Sequence, residues 1–214
     1  MEILDLDALD AARLERDPFD YLVVTDFVRA EVRRSLEDDF PQLAGPGNHD
    51  VEQLAYGPSF AKFLEELRSP ETARRLGARF GVALEALPTN LTVRRFAQAS
   101  DGNIHTDSWT KVVTVLVYFN REWPHAIGAL RLTRSPDDIE DYGAEVPPLS
   151  GTLLAFRRTD RSFHGHKPFE GERRTLQMSY VQPAAGARVA LQIKRLTTRT
   201  LKRLHLDPGS NVKG

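Results

Sequence analysis

The chain has 214 residues, 41% hydrophobic and 28% charged, the composition of one ordinary globular domain able to bury a core without staples. Its net charge of −1 selects neither nucleic acid nor an anionic membrane, and the absence of cysteine excludes disulfides, thiolate zinc sites and a cysteine nucleophile. The longest apolar runs, such as residues 112–119, are too short to span a bilayer, the acidic N-terminus is not a secretory signal, and a cytoplasmic protein is expected.

Residues 21–24 form a short apolar run. Asp26 then stands as an N-cap before residues 27–40, where Phe27, Val28, Val32, Leu36 and Phe40 recur at helical spacing. Residues 41–48 carry Pro and Gly and read as a loop. Residues 59–67 and 70–80 predict two more amphipathic helices, the second opened by Ser69-Pro70-Glu71 and closed by Gly81.

Past residue 90 the period changes. Residues 91–96, 111–120, 129–132, 152–157 and 175–181 are short β-rich runs bounded by Gly, Pro, Asp or Asn. Helices first and strands later predict an α+β fold, helices stacked on one face of an antiparallel sandwich or jelly roll. Residues 137–141 read as a solvated acidic loop. From 184 onward there are seven basic residues and one acid, Asp207, so the tail carries +6 and the rest −7. The tail reads as a helix with a solvated basic face, since no aromatic residues interleave for base stacking.

The chemistry concentrates around His105-Thr106-Asp107. Residues two apart on an extended segment point to one side, so an imidazole and a carboxylate can share an ion. Fifty-seven residues beyond Asp107 comes Ser162-Phe163-His164-Gly165-His166, and nine beyond His164 comes Arg173. Two histidines and a carboxylate leave open positions on an iron, and an arginine one strand away offers a fork for a carboxylate. His164 and His166 share strand parity and compete for the ligand position; the Ser-x-His-Gly context and the spacing to Arg173 favour His164. Parity also divides the last strand. Arg173, Thr175, Gln177 and Ser179 lie on one face, with Arg174, Leu176, Met178 and Tyr180 on the other. The apolar face belongs against the helices, so the Arg173 face lines a cavity.

This pattern resembles the Fe(II)/2-oxoglutarate-dependent oxygenases, most closely the prolyl-4-hydroxylase-like branch, over residues 90–182. The strand ending in Tyr118-Phe119-Asn120 with Trp123, then Ile127-Gly128-Ala129-Leu130, then Gly151 to Phe156, Ser162 to Gly165 and Gly171 to Arg174 follow the family's order. Ile127 stands where the family has the first of two glycines. The resemblance implies a double-stranded β-helix, a jelly-roll (cupin-like) core, with supporting N-terminal helices. Chain organisation is then a single oxygenase domain: 1–89 mainly helical support, 90–182 core, 183–214 basic tail. The implied iron ligands are His105, Asp107 and His164; Arg173 and Tyr118 would hold the distal carboxylate of 2-oxoglutarate. The implied cofactors are Fe(II), 2-oxoglutarate and dioxygen, with ascorbate left open, and Asp107 favours hydroxylation because halogenating members lack that carboxylate. The expected partners are 2-oxoglutarate and a peptide or small-molecule substrate, with no membrane and no nucleic acid expected, the basic tail being the one part left open to a phosphate-bearing partner. A non-oxidative cupin-type metal protein and a silent binding module are the competing readings. Trp109 and His166 are open as substrate contacts, and loops near 41–56 and 124–127 are expected to shape the entrance.

Overall fold

The computed structural model describes residues 2–183; the helical reading of the basic tail lies outside the described residues. Helix α1 (Leu6–Ala11) is capped by Asp5, whose carboxylate accepts from the Ala8 amide, and it went unread in the sequence because it spans barely two turns. Strand β1 (Tyr21–Val24) follows. Helix α2 (Ala30–Asp38) starts three residues later than expected, with Arg29 at the cap position and no side-chain cap. Asp26 is not the N-cap; it pairs with Arg33 at 2.6 Å. The physical reason is tertiary. Phe27 and Val28 are buried ahead of the helix, Val28 bridges to Leu4, and the Val28 amide donates to the Gly151 carbonyl. That burial outweighs local helix propensity.

The expected 41–48 loop leads into the two-residue strand β2 (His49–Asp50). Helix α3 (Pro58–Leu67) buries Phe60, Phe63, Leu64 and Leu67. Helix α4 (Pro70–Phe80) is bounded as expected. The Ser69 hydroxyl accepts from the Thr72 amide, and Gly81 closes the helix at φ +64°, a left-handed conformation that favours glycine.

Seven strands complete the fold: β3 (Thr89–Ala97), β4 (Lys111–Tyr118), β5 (Leu130–Thr133), β6 (Tyr142–Val146), β7 (Leu153–Arg157), β8 (His164–Gly165) and β9 (Gly171–Val181). The acidic stretch 137–141 stays a loop, but it leads directly into β6, a strand the sequence reading passed over. The larger sheet has the order β1-β7-β4-β9-β3-β2 and the smaller β6-β5-β8, antiparallel throughout. These are the expected α+β layers: helices, a large sheet, then a small one.

The inner strands β4 and β7, with β1, therefore divide their side chains between two cores, while β3 and β9 give their apolar side chains to the helix-side core. Val113, Val115, Val117, Leu176, Met178 and Tyr180 pack with the helices' Phe60, Phe63 and Leu76. Leu116, Tyr118, Leu154 and Phe156 point the other way and meet Leu130, Leu132 and Val146 of the small sheet. No helix among the described residues is long and apolar enough to cross a membrane.

Candidate active site

His105, Asp107 and His164 converge. One potential ligand atom from each lies within 4.8 Å of the others. Backbone pairing places the two histidines: the His105 amide donates to the His164 carbonyl at 3.1 Å, and the His164 amide returns the bond at 3.0 Å. The segment bearing His105 thus borders β8, while Leu132 of β5 pairs with His164 on its other side. The imidazoles, 4.5 Å apart between ring centres, are both oriented by backbone. His105 Nδ1 lies 2.8 Å from the Asn103 carbonyl, and His164 Nδ1 lies 2.9 Å from the Ser162 carbonyl. A carbonyl can only accept, so each Nδ1 carries the proton and each Nε2 keeps its lone pair. Burial pushes the His164 imidazole down to about 4, against the pull of Asp107, so it is neutral and available as a donor near pH 7.

Asp107 is buried and clamped. Thr114 Oγ1 donates to its Oδ2 at 2.6 Å, and Lys111 Nζ lies 2.5 Å from Oδ1. Burial works to raise this carboxyl, but the charges of Lys111 and His164 with the bonds from Lys111 and Thr114 outweigh it and hold it below the usual carboxylate range. Two imidazoles presenting Nε2 and one ionised carboxylate suit a first-row divalent ion such as Fe(II), Mn(II) or Ni(II).

A cavity of about 360 Å³ opens beside the triad, lined by His105, His164, His166, Arg173 and Thr175 among others. Arg173 lines its large-sheet side, as the parity of β9 requires, and Tyr118 lies behind the wall against Arg173. Arg173 is 6% exposed. Its Nε donates to the Gly128 carbonyl at 3.0 Å, its Nη1 approaches Thr175, and Nη2 is buried with no hydrogen-bond partner. No carboxylate forms an ion pair with it among the described residues, and burial draws its guanidinium down from the ordinary arginine value. Tyr118, fully buried, has its ring centre 5.6 Å from Arg173 Cζ and its hydroxyl also unpartnered. Burial raises that hydroxyl, and the Arg173 charge and a hydrogen-bonding contact with Arg173, too loose to count as a formed bond, oppose the rise. A buried guanidinium without a counter-charge is costly, and a dicarboxylate placed here would relieve it.

Gly128 explains the motif around Ile127. At φ +86° it needs glycine, and a Cβ there would approach Phe169 and Trp123 to within 2.9 Å. Ile127 is 41% exposed, so the first glycine of the family pair has no tight contact to preserve. Arg174 faces the helices, its Nη1 donating to the Glu37 carbonyl and its guanidinium near the Phe40 ring. His166, buried, lines the cavity without joining the triad, and Trp109 is 64% exposed and outside the cavity lining. Of the expected entrance loops, 41–56 contributes Asn48 to the lining, whereas Pro124 and His125 line a separate depression beside Glu37 and Arg174. Arg94 and Asp101, both on the cavity wall, were not singled out from the sequence. The alternation of Leu91 and Val93 with Thr92 and Arg94 is the signal that could have found the first.

Residues 91–182 match the family model of the 2OG-Fe(II) oxygenase superfamily. The resemblance read from the motifs is borne out. Solved structures agree on the fold. A prolyl-4-hydroxylase from Pseudomonas putida aligns with TM-score 0.56 at 18% identity, over 84% of this chain and 93% of that one. A prolyl 4-hydroxylase from Phytophthora capsici gives 0.55 at 19%, over 86% and 68%. A Trichoplax adhaerens prolyl hydroxylase in complex with a hypoxia inducible factor peptide gives 0.54 at 18%, over 75% and 83%. The double-stranded β-helix core of these neighbours is the fold of this chain too. No curated protein matches the sequence.

Proposed function

We propose that this chain is an Fe(II)- and 2-oxoglutarate-dependent dioxygenase that hydroxylates a C–H bond of a small molecule or peptide side chain, working in the cytoplasm. The carrying observation is the unpartnered Arg173 Nη2 and Tyr118 hydroxyl buried next to the His105, Asp107 and His164 cluster. A cupin-type metal site would need the cluster but would gain nothing from a buried, unpaired arginine beside it. With iron and 2-oxoglutarate bound, the site supplies dioxygen activation and decarboxylation of 2-oxoglutarate to succinate and carbon dioxide, coupled to hydroxylation.

The chain's own residues prepare for this. His105 and His164 present Nε2 lone pairs fixed by the Asn103 and Ser162 carbonyls. Thr114 and Lys111 hold the Asp107 carboxylate in one orientation and ionised. Arg173, itself positioned by the Gly128 carbonyl, takes the far carboxylate of 2-oxoglutarate together with Tyr118. Leu116, Leu130 and Phe156 give the inner wall of the cavity an apolar surface. The test is succinate release by the purified protein with Fe(II) and 2-oxoglutarate across a substrate panel, with mass spectrometry of the product. A substrate gaining one oxygen atom in step with succinate is the expected result. No binding of 2-oxoglutarate to the metal-loaded protein would overturn the reading.

A further inference from the structure

The cavity holds a second arginine whose surroundings differ from those of Arg173. Arg94 is on the cavity-facing side of β3, directly across from Thr175 in the register with β9. Its Nε donates to Asn48 Oδ1 at 3.1 Å, and its Nη1 lies 2.7 Å from Asp101 Oδ2. That same Oδ2 also accepts from the Gln98 amide at 3.0 Å, in a turn closed by the Asp101 amide on the Gln98 carbonyl. Asp101 Oδ1 and Arg94 Nη2 have no hydrogen-bond partner among the described residues. Both side chains line the cavity and are about four-fifths buried, with 21% and 17% of their surface exposed. The pair is therefore held from behind and keeps one acceptor and one donor uncommitted.

Resting on the oxygenase reading, we propose that the Arg94–Asp101 pair is the substrate subsite and that the substrate is a free amino acid, its carboxylate on Arg94 and its ammonium on Asp101. Charge decides between candidates. A neutral ligand can hydrogen-bond to either half but brings no charge to complement it. A simple anion would meet Arg94 but sit against the Asp101 carboxylate, and a simple cation would face the reverse conflict. A zwitterion complements both halves at once. Size agrees: about 360 Å³ is near the lower end of the roughly 300–1,000 Å³ usual for ligand pockets, and here it must also accommodate 2-oxoglutarate. His166 adds a further polar group to the same wall; its Nδ1 is bound to the Lys167 carbonyl, so Nε2 is left as an acceptor.

The test uses the full chain loaded with Mn(II) and 2-oxoglutarate under anaerobic conditions. Each of the twenty protein amino acids is titrated by calorimetry, then the best one as its N-acetyl and carboxamide derivatives. At least one free amino acid should bind, and blocking either end should weaken it at least about tenfold, the effect of losing one charge-assisted bond. Arg94→Gln should bind the free acid and the carboxamide alike, and Asp101→Asn should lose the penalty for N-acetylation, both with 2-oxoglutarate affinity retained. The capped ligands are compared on the unaltered protein too, so the inference does not depend on the variants folding. It is overturned if no free amino acid binds, if the capped forms bind as well as the free one, or if only a proline-containing peptide binds. Failure of 2-oxoglutarate itself to bind would instead remove the oxygenase reading on which the inference rests.

Discussion

Along β9, Leu176, Met178 and Tyr180 pack against the helices, while Arg173, Thr175 and Ser179 face the smaller sheet, and all six are buried to a similar degree. The two faces differ in how their polar atoms are satisfied. On the helix side the unpartnered polar group of this strand is the Tyr180 hydroxyl, which is neutral; on the cavity side it is a charged guanidinium nitrogen, with the Tyr118 hydroxyl beside it. A neutral hydroxyl without a partner costs about 1–3 kcal/mol, whereas an unpaired buried charge costs more. Burial alone therefore does not separate packing from function here. The unmet charge does.

Breaking the cavity side at its metal cluster should have the largest effect. His105→Ala and Asp107→Ala should each remove most of the affinity for Fe(II) or Mn(II), read by metal titration, and His164→Ala should abolish metal-dependent turnover. His166→Ala should be milder and act on substrate binding. The reverse ranking of the two histidines would move the third ligand to His166.

The neighbours Tyr118 and Phe119 sharpen the contrast. The Phe119 ring contacts Phe40, Phe60 and Phe63, with ring centres 5.3–5.6 Å away, and Phe119→Ala should cost about 3–5 kcal/mol in denaturant unfolding. Tyr118→Phe removes a hydroxyl whose contact with Arg173 is too loose to count as a formed bond, and should change stability by less than about 1 kcal/mol while weakening 2-oxoglutarate binding. A stability loss for Tyr118→Phe comparable to that of Phe119→Ala would erase the distinction.

A smaller effect follows from pH. His164 has a folded value of about 4, below its unfolded value of 6.5, so between these the unfolded chain binds the extra proton. The metal-free protein should therefore be most stable above pH 6.5 and lose stability as pH falls toward 4, this residue contributing at most about 1.4 kcal/mol per pH unit. The contribution of this residue should vanish in His164→Gln, as followed by thermal unfolding at several pH values.

Much of this was legible in the sequence for a simple reason. Side-chain alternation along β9 puts Leu176 and Met178 toward the helices and Thr175 and Arg173 toward the cavity, and it survives the register shift opposite Arg94 to Phe96. Ser69 with Gly81 marks the ends of α4 by local chemistry. What was missed depended on contacts far apart in the chain. The late start of α2 follows from Val28 pairing with Gly151, and β2 and β6 are defined by their partners β3 and β5 rather than by their own residues. The Arg94–Asp101 pair spans a register shift in β3 and the loop after it, geometry that residue spacing does not carry.

The central claim, that the Arg173 face of β9 is the cosubstrate face, is tested most directly by titrating 2-oxoglutarate into Mn(II)-loaded Arg173→Ala and Arg174→Ala. Arg173 faces the cavity with a free nitrogen, whereas Arg174 binds the Glu37 carbonyl and pairs with Glu172 on the helix side. Loss of one or two charge-assisted bonds should weaken 2-oxoglutarate about tenfold to a hundredfold in Arg173→Ala, with Arg174→Ala within about twofold of the unaltered protein. A larger loss in Arg174→Ala would contradict the assignment and take Tyr118 with it.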